Sequence, residues 1–179
     1  MPRAMKQRFA SIWDAISDTP QEAASLRARS ARRMGLTETI KAQEHHVAAI
    51  RAWLLEEHTR AGGGLYDNVH MLPKAQVEGR LYCVMSAEMP VGFVMVHRMT
   101  EGASISLMEV HPDHRGKGIG KQLALFAIDL LLADGAKYIE VECAPHESEP
   151  FWRGMGFMSD ESKPKSPRSN PKLRLRPPC

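Results

Sequence analysis

Glu109-Val110-His111-Pro112-Asp113-His114-Arg115-Gly116-Lys117-Gly118-Ile119-Gly120 is the stretch on which the reading of this chain turns. An extended run ends at Pro112, a turn follows, and small residues lead into the apolar-rich run Lys121 to Ala133. That order predicts strand, glycine loop, helix. The first amides of a helix have no partner within it. Together with the positive end of the helix dipole they form an anion site, and glycines let a diphosphate approach the backbone closely. The stretch is not a P-loop, because it lacks the G-K-[ST] ending, and its spacing is not G-x-G-x-x-G. A glycine turn of this kind also arises from close packing alone.

Working outward, the helix over Lys121–Ala133 should end at Asp134-Gly135, and Tyr138 to Cys143 reads as a strand. Strand, helix and strand in that order form a βαβ unit, so the two strands should be parallel. Upstream, Leu81–Met85 and Val91–Val96 flank Ala87-Glu88-Met89-Pro90 as a hairpin, and Ser104–Val110 is a third strand. Downstream lie a short helix over Glu149–Met155, a strand near Phe157, a Pro/Ser/Lys loop from Lys163 to Pro171, and Leu173-Arg174-Leu175 as a last strand. A longer helix is expected to open at Thr37, to use Ile40, Val47, Ile50, Leu54 and Leu55 as its apolar face, and to stop at Gly62-Gly63-Gly64. Before it, Phe9, Ile12, Trp13 and Ile16 have helical spacing, and Asp18-Thr19-Pro20 reads as the cap of a second short helix reaching about Arg33. No internal repeat is present.

With 179 residues, 43% of them hydrophobic and 25% charged, the chain is sized for one ordinary domain and some extra residues. The net charge of +3 hides a split. Residues 1–35 carry seven basic and three acidic side chains, residues 160–179 carry six and two, and residues 36–159 carry 11 and 16. An acidic middle suits a cationic substrate, and basic ends suit an anionic partner. The apolar run around Leu123–Leu132 is interrupted by Asp129 and too short to cross a bilayer, and no signal peptide opens the chain, so a cytoplasmic protein without a membrane partner is expected. Cys83, Cys143 and Cys179 are too far apart for a disulfide framework or a zinc site. His45, His46 and His58 lack a matching carboxylate cluster, so no metal is expected.

Arg115-x-x-Gly118-x-Gly120, preceded by Val110-His111-Pro112, resembles the acetyl-coenzyme A signature of the GNAT superfamily of N-acetyltransferases, and Phe151-Trp152-Arg153-Gly154-Met155-Gly156-Phe157 resembles its second marker. The resemblance covers roughly residues 80–160; the family's usual first strand is not visible in the sequence. It implies an α/β (α+β) fold: a mixed, mostly antiparallel sheet with a splayed central parallel pair, flanked by helices, here with an N-terminal helical extension. The chain would divide into a helical extension (1–35), the acetyltransferase domain (36–160) and a basic Pro-rich tail (161–179). Acetyl-coenzyme A would be the cosubstrate. Its pantetheine arm would lie in the splay against backbone at Met108, Glu109 and Val110, near Trp152, and its diphosphate on the amides of Arg115, Gly116, Lys117, Gly118, Ile119 and Gly120. Arg115, Lys117 and Lys121 can add positive charge there.

The implied reaction is direct transfer of acetyl to a primary amine, of a small molecule or a protein. It needs a proton acceptor, an oxyanion donor and a route for the thiolate. Glu140, in Ile139-Glu140-Val141, matches the family's L-E-V position that acts as a base in N-terminal alanine acetyltransferases; Glu109 is the second carboxylate candidate. Trp152 occupies the position where many relatives carry a tyrosine that protonates the thiolate, and an indole N–H is no proton source near neutral pH. Ser148, Cys143, His146 or water would have to replace it, or the thiolate leaves unassisted. Ser104 and Ser106 stand where other relatives place ionisable groups. Two alternatives stay open: a coenzyme A-binding regulatory or interaction module with weak catalysis, and a toxin acetylating aminoacyl-tRNA. Residues 8–30 resemble the leading segment of antitoxin-type helix-turn-helix regulators, but the DNA-reading helices that follow in those proteins have no counterpart here. The sequence therefore does not argue for nucleic acid; the segment offers a helical pair for self-association, as in a homodimer, or for docking.

Overall fold

The computed structural model describes residues 36–62, 65–159 and 170–176. The two N-terminal helices, the antitoxin-like segment and most of the Pro/Ser/Lys loop lie outside the described residues. The elements run β1 (Leu36–Lys41), α1 (Glu44–Ala61), a 3-10 turn (Tyr66–Met71), α2 (Leu72–Val77), β2 (Leu81–Ser86), β3 (Met89–Arg98), β4 (Ala103–Val110), α3 (Ile119–Ala133), β5 (Ile139–Glu142), α4 (Glu149–Gly154), β6 (Met158–Ser159) and β7 (Lys172–Leu175). Seven strands form one sheet in the order β1-β2-β3-β4-β5-β7-β6, antiparallel except for the β4–β5 pair. No helix among the described residues is long and apolar enough to cross a membrane.

The expected helix from Thr37 is corrected at its start. Leu36–Lys41 is a strand that pairs with β2 through Thr39↔Val84 and Ile40↔Cys83, and α1 begins only at Glu44. Thr and Ile are stiff at χ1 and sit well on a pleated edge, and pairing with β2 prevails over the short helical pattern seen in sequence. This is the first strand that the sequence does not reveal. The apolar face of α1 changes accordingly: His46, Val47, Ile50, Trp53 and Leu54 are buried, whereas Leu55 is exposed and Ile40 is not on the helix. Gly62, with φ +66°, ends α1 by donating its N–H to the His58 carbonyl at 2.8 Å.

Two helical layers cover the sheet unequally. On one face α1 and α2 bury Ile50, Trp53, Leu54 and Leu72 against Leu81, Cys83, Phe93 and Met95, with Leu107 at the margin. No residue of β5, β6 or β7 belongs to that cluster. On the other face α3 buries Ile119, Leu123, Ala124, Ala127, Ile128 and Leu131, a helical repeat, against Val84, Val94, Ile105, Ile139, Val141 and Leu173. Gly92 makes this packing close: a Cβ there would meet Ile119 Cγ2 at 3.0 Å and Leu123 Cδ1 at 3.1 Å. The face beside β5 and β7 opposite α3 is therefore left without a helix among the described residues.

Candidate active site

β4 and β5 pair only through Ala103↔Ile139, Ser104↔Glu140 and Ile105↔Val141, while β4 stays paired with β3 up to Val110↔Gly92. Residues 106–110 of β4 thus run beyond the parallel pairing, and a cleft opens between the C-terminal ends of the two strands. A bulge helps to form it. The β3–β4 register steps from Val96↔Ile105 to Met95↔Leu107, so Ser106 is the extra residue. The step turns alternate side chains over: Ala103 and Ile105 pack towards α3, whereas Leu107 packs towards α1.

At the top of this cleft lies the glycine loop. His111 Nδ1 accepts the Asp113 N–H at 3.3 Å, and Pro112 opens a 3-10 turn closed by the Arg115 N–H on the Pro112 carbonyl at 3.2 Å. The Arg115 amide is consequently turned inward rather than offered to a ligand. Gly116 (φ +74°) and Gly118 (φ +83°) then take the left-handed conformation, and Gly118 is the N-cap of α3. Nothing lies within 4 Å of a Cβ built at either glycine. Their conformation answers to the chain reversal and not to crowding by the protein itself, and the helix start faces outward. Of the expected basic side chains, Lys117 donates to the Asp113 carbonyl at 2.8 Å. Arg115 folds back: Nε donates to the Val110 carbonyl at 3.0 Å, and Nη2 to Glu57 Oε1 at 2.6 Å and Glu109 Oε1 at 3.1 Å.

The candidate carboxylates occupy two edges of the cleft. Glu109 faces α1; burial raises its pKa above the ordinary carboxylate value, opposed by the Val110 N–H it accepts at 3.1 Å and by the charge of Arg115. Glu140 projects from β5 between the buried Ile139 and Val141, away from α3, and pairs across the strands with Arg174 of β7, whose Nε lies at 3.2 Å and whose Nη2 also donates to the same oxygen. The Arg174 guanidinium lies 4.2 Å from the centre of the Tyr138 ring. The register Ser104↔Glu140↔Arg174 forms a row across β4, β5 and β7, and Ser104 Oγ lies 3.1 Å from Ser106 Oγ.

The other candidates are placed less suggestively for proton transfer. Trp152 is buried, its ring edge-on to Phe151 and Phe157. Ser148 Oγ donates to the Pro145 carbonyl at 2.8 Å. Cys143 is buried, and desolvation first, then the Glu149 charge, raise its pKa. His146 is exposed, 3.7 Å from Glu149. Two participants are not anticipated from sequence: Glu57 and Arg174. Glu57 shares a helix face with Trp53 one turn earlier, and Arg174 alternates with two buried leucines, signals that place them on elements but not beside a site. Among the described residues no cluster of three His, Cys, Asp or Glu side chains could hold a metal ion.

Residues 47–157, which include this parallel strand pair and the glycine loop, match a known family profile, described as the acetyltransferase (GNAT) family. The chain belongs to this family. Among solved structures, the PaiA N-acetyltransferase of Thermoplasma acidophilum in complex with coenzyme A is similar with a TM-score of 0.62 and 16% identity, over 79% of this chain and 98% of that one. An acetyltransferase of Thermus thermophilus is similar with a TM-score of 0.58 and 19% identity, over 79% and 96%. A chain of the NatC complex bound to Gag peptide and coenzyme A reaches 0.55 and 20%, over 79% and 100%. At these identities the structures establish the GNAT fold. No curated protein matched the sequence. The family profile starts in α1 and ends at Phe157, so β1 and β7, with Arg174, lie outside it.

Proposed function

We propose that this GNAT-family chain transfers acetyl from acetyl-coenzyme A to a primary amine of a small molecule or a protein, and the observation that carries the reading is the cleft formed where β5 leaves β4 after Ile105↔Val141, directly beneath the outward-facing start of α3. Pantetheine pairs with the β4 backbone at Met108, Glu109 and Val110. The diphosphate rests on the amides of Gly116, Lys117, Gly118, Ile119 and Gly120, with Lys117 and Lys121 supplying charge. The amine enters from the face that α1 and α2 leave uncovered, over Ser104, Ser106 and Glu140.

In the reaction the amine lone pair attacks the thioester carbonyl carbon, the C=O electrons move to oxygen, and collapse of the tetrahedral intermediate breaks the C–S bond. Glu140, directly or through one water, takes the proton that the nitrogen must lose. Its pairing with Arg174 fixes its orientation. The thiolate needs little help in leaving, because a thiol of this kind has a pKa of about 8.5. Trp152 therefore serves to pack the end of the cleft rather than to donate a proton, and Ser148, whose proton is held by the Pro145 carbonyl, orders the loop after β5.

A second reading, a coenzyme A-binding module with little catalysis, is favoured by the same two facts: an indole in place of a phenol and a candidate base already held by an arginine. Thiol release with acetyl-coenzyme A and a panel of amines separates the two. Amine-dependent release that Glu140→Gln suppresses supports transfer. Tight coenzyme A binding without release by any amine leaves only the module.

A further inference from the structure

We propose that Arg115 is a positioning residue that fixes the glycine loop to α1, and that its guanidinium does not contact the cosubstrate's diphosphate. The inference rests on the acetyl-coenzyme A reading of the loop and adds to it the part played by Glu57, a residue 58 positions away.

The geometry is that of a fixed strut. One guanidinium is held by acceptors on two separate elements: Glu57 Oε1 of α1 at 2.6 Å, and Glu109 Oε1 and the Val110 carbonyl of β4 at 3.1 and 3.0 Å. The Glu57 and Glu109 side chains are only 12% and 19% exposed while that of Arg115 is 47% exposed, so the carboxylates are largely withdrawn from water and the guanidinium that serves them is half-screened. The second Glu57 oxygen is buried without a hydrogen-bond partner, as is Trp53 Nε1 one turn earlier on the same helix face. Glu57 thus depends heavily on Arg115 for compensation of its buried charge. Were the guanidinium to swing out to a phosphate, two neighbouring desolvated carboxylates would remain, the arrangement that low-dielectric surroundings penalise most. A fork is also the right shape for the task, since a planar guanidinium can satisfy several fixed acceptors at once and an ammonium cannot hold that geometry. Its consequence for the loop is direct: Arg115 immediately precedes Gly116 and Gly118, whose left-handed conformations leave the chain direction there to be set from outside. α1 thereby helps to define where the start of α3 points.

The test measures coenzyme A affinity by titration calorimetry for the full chain and for Glu57→Leu, Glu57→Gln, Arg115→Lys and the Glu57→Leu/Arg115→Lys double variant. A strut predicts that Glu57→Leu raises Kd roughly tenfold or more, as small displacements of a binding group do. Glu57→Gln, whose amide oxygen still accepts one bond, falls between, and the double variant is no weaker than Arg115→Lys alone. In steady-state kinetics Glu57→Leu raises KM for acetyl-coenzyme A with kcat changed less than about twofold, while KM for S-acetyl-pantetheine, which has no diphosphate, does not move. Unchanged or tighter coenzyme A binding by Glu57→Leu overturns the proposal, since release of the guanidinium would then have helped the phosphate. If Glu57→Leu does not fold, the graded effect of Glu57→Gln decides in the same way. A wild-type chain that binds no coenzyme A sinks the acetyl-transfer reading and this inference together; wild-type binding with an indifferent Glu57→Leu sinks this inference alone.

Discussion

The two edges of the cleft are built alike and behave differently. On the β4 edge Glu109 meets Arg115, which is shared with Glu57 of α1; on the β5 edge Glu140 meets Arg174, which comes from β7 and rests on Tyr138. Each carboxylate is held by an arginine from a later segment. Glu109, however, lies under α1 and is pushed towards its neutral form by burial, whereas Glu140 lies on the face that has no helix among the described residues. The same residue pair thus joins a strand to a helix on one edge and two strands on the other.

The largest test asks whether a cosubstrate lies between these edges at all. Gly118→Val places a β-branched residue at φ +83° and a side chain where the diphosphate would rest, and since nothing of the protein lies within 4 Å of that Cβ, the effect falls on the ligand and on backbone strain. Coenzyme A affinity measured by calorimetry should drop by about 100-fold or more; binding at wild-type strength would refute the backbone cradle.

Next comes the division of labour between the carboxylates. Glu140→Gln should lower kcat/KM by about 100-fold at a pH below the pKa of the amine, and Glu109→Gln by less than about tenfold. The reverse order in a pH–rate profile would move the base to the β4 edge.

Removing the arginine on the open edge has a smaller but measurable cost. Arg174→Ala leaves Glu140, 22% exposed, without its cross-strand partner, and should destabilise the fold by about 2 kcal/mol in urea denaturation. Adding Glu140→Leu should recover part of that loss; strict additivity would show that the pair is not coupled.

Glu109 gives the opposite sign. Its folded pKa is raised, so its contribution favours the fold below the usual value near 4.5 and is lost as pH rises through the folded pKa. Glu109→Gln should therefore be more stable than wild type at pH 7, with the advantage gone below pH 4.5. Equal stability across that window would mean that Arg115 compensates the charge fully.

The smallest effect lies at the far end of α1. His46 is buried, its Nδ1 accepts the Gln43 N–H at 3.1 Å, and burial first, then the charge of His45, lowers its pKa. Protonation would charge a buried ring and remove that acceptor. Because the unfolded chain binds the proton more readily, the contribution is present above pH 6.5 and lost as pH falls through the lowered folded value. Tm should decline by a few degrees on acidification from about pH 7 to about pH 5, and less so in His46→Gln.

Much of this architecture is legible one segment at a time. The hairpin around Ala87, β4, α3 and β5 are written in local pattern, because each buries a continuous face and ends at glycine, proline or a polar turn. β1 is not legible in this way, because six residues containing Thr37, Thr39 and Ile40 suit either a helix start or an edge strand, and only β2 decides between them. The buried face of α1 is half legible for a similar reason: His46 and Trp53 face the sheet, and Leu55 does not.

The sequence by itself determined the family, the glycine loop and the strand carrying Glu140, since all three are short-range: a spacing of glycines and an alternation of apolar residues carry them without reference to the rest of the chain. Only the tertiary structure decided what each charge does. Arg115 and Lys117 stand two residues apart in one basic loop, yet one is locked to α1 and the other is held by its own loop. Glu109 and Glu140 are both strand carboxylates, yet among the described residues a helix lies over Glu109 alone. Partners 34 and 58 residues distant, and the dielectric set by which helix lies overhead, fix those roles, and neither quantity is local.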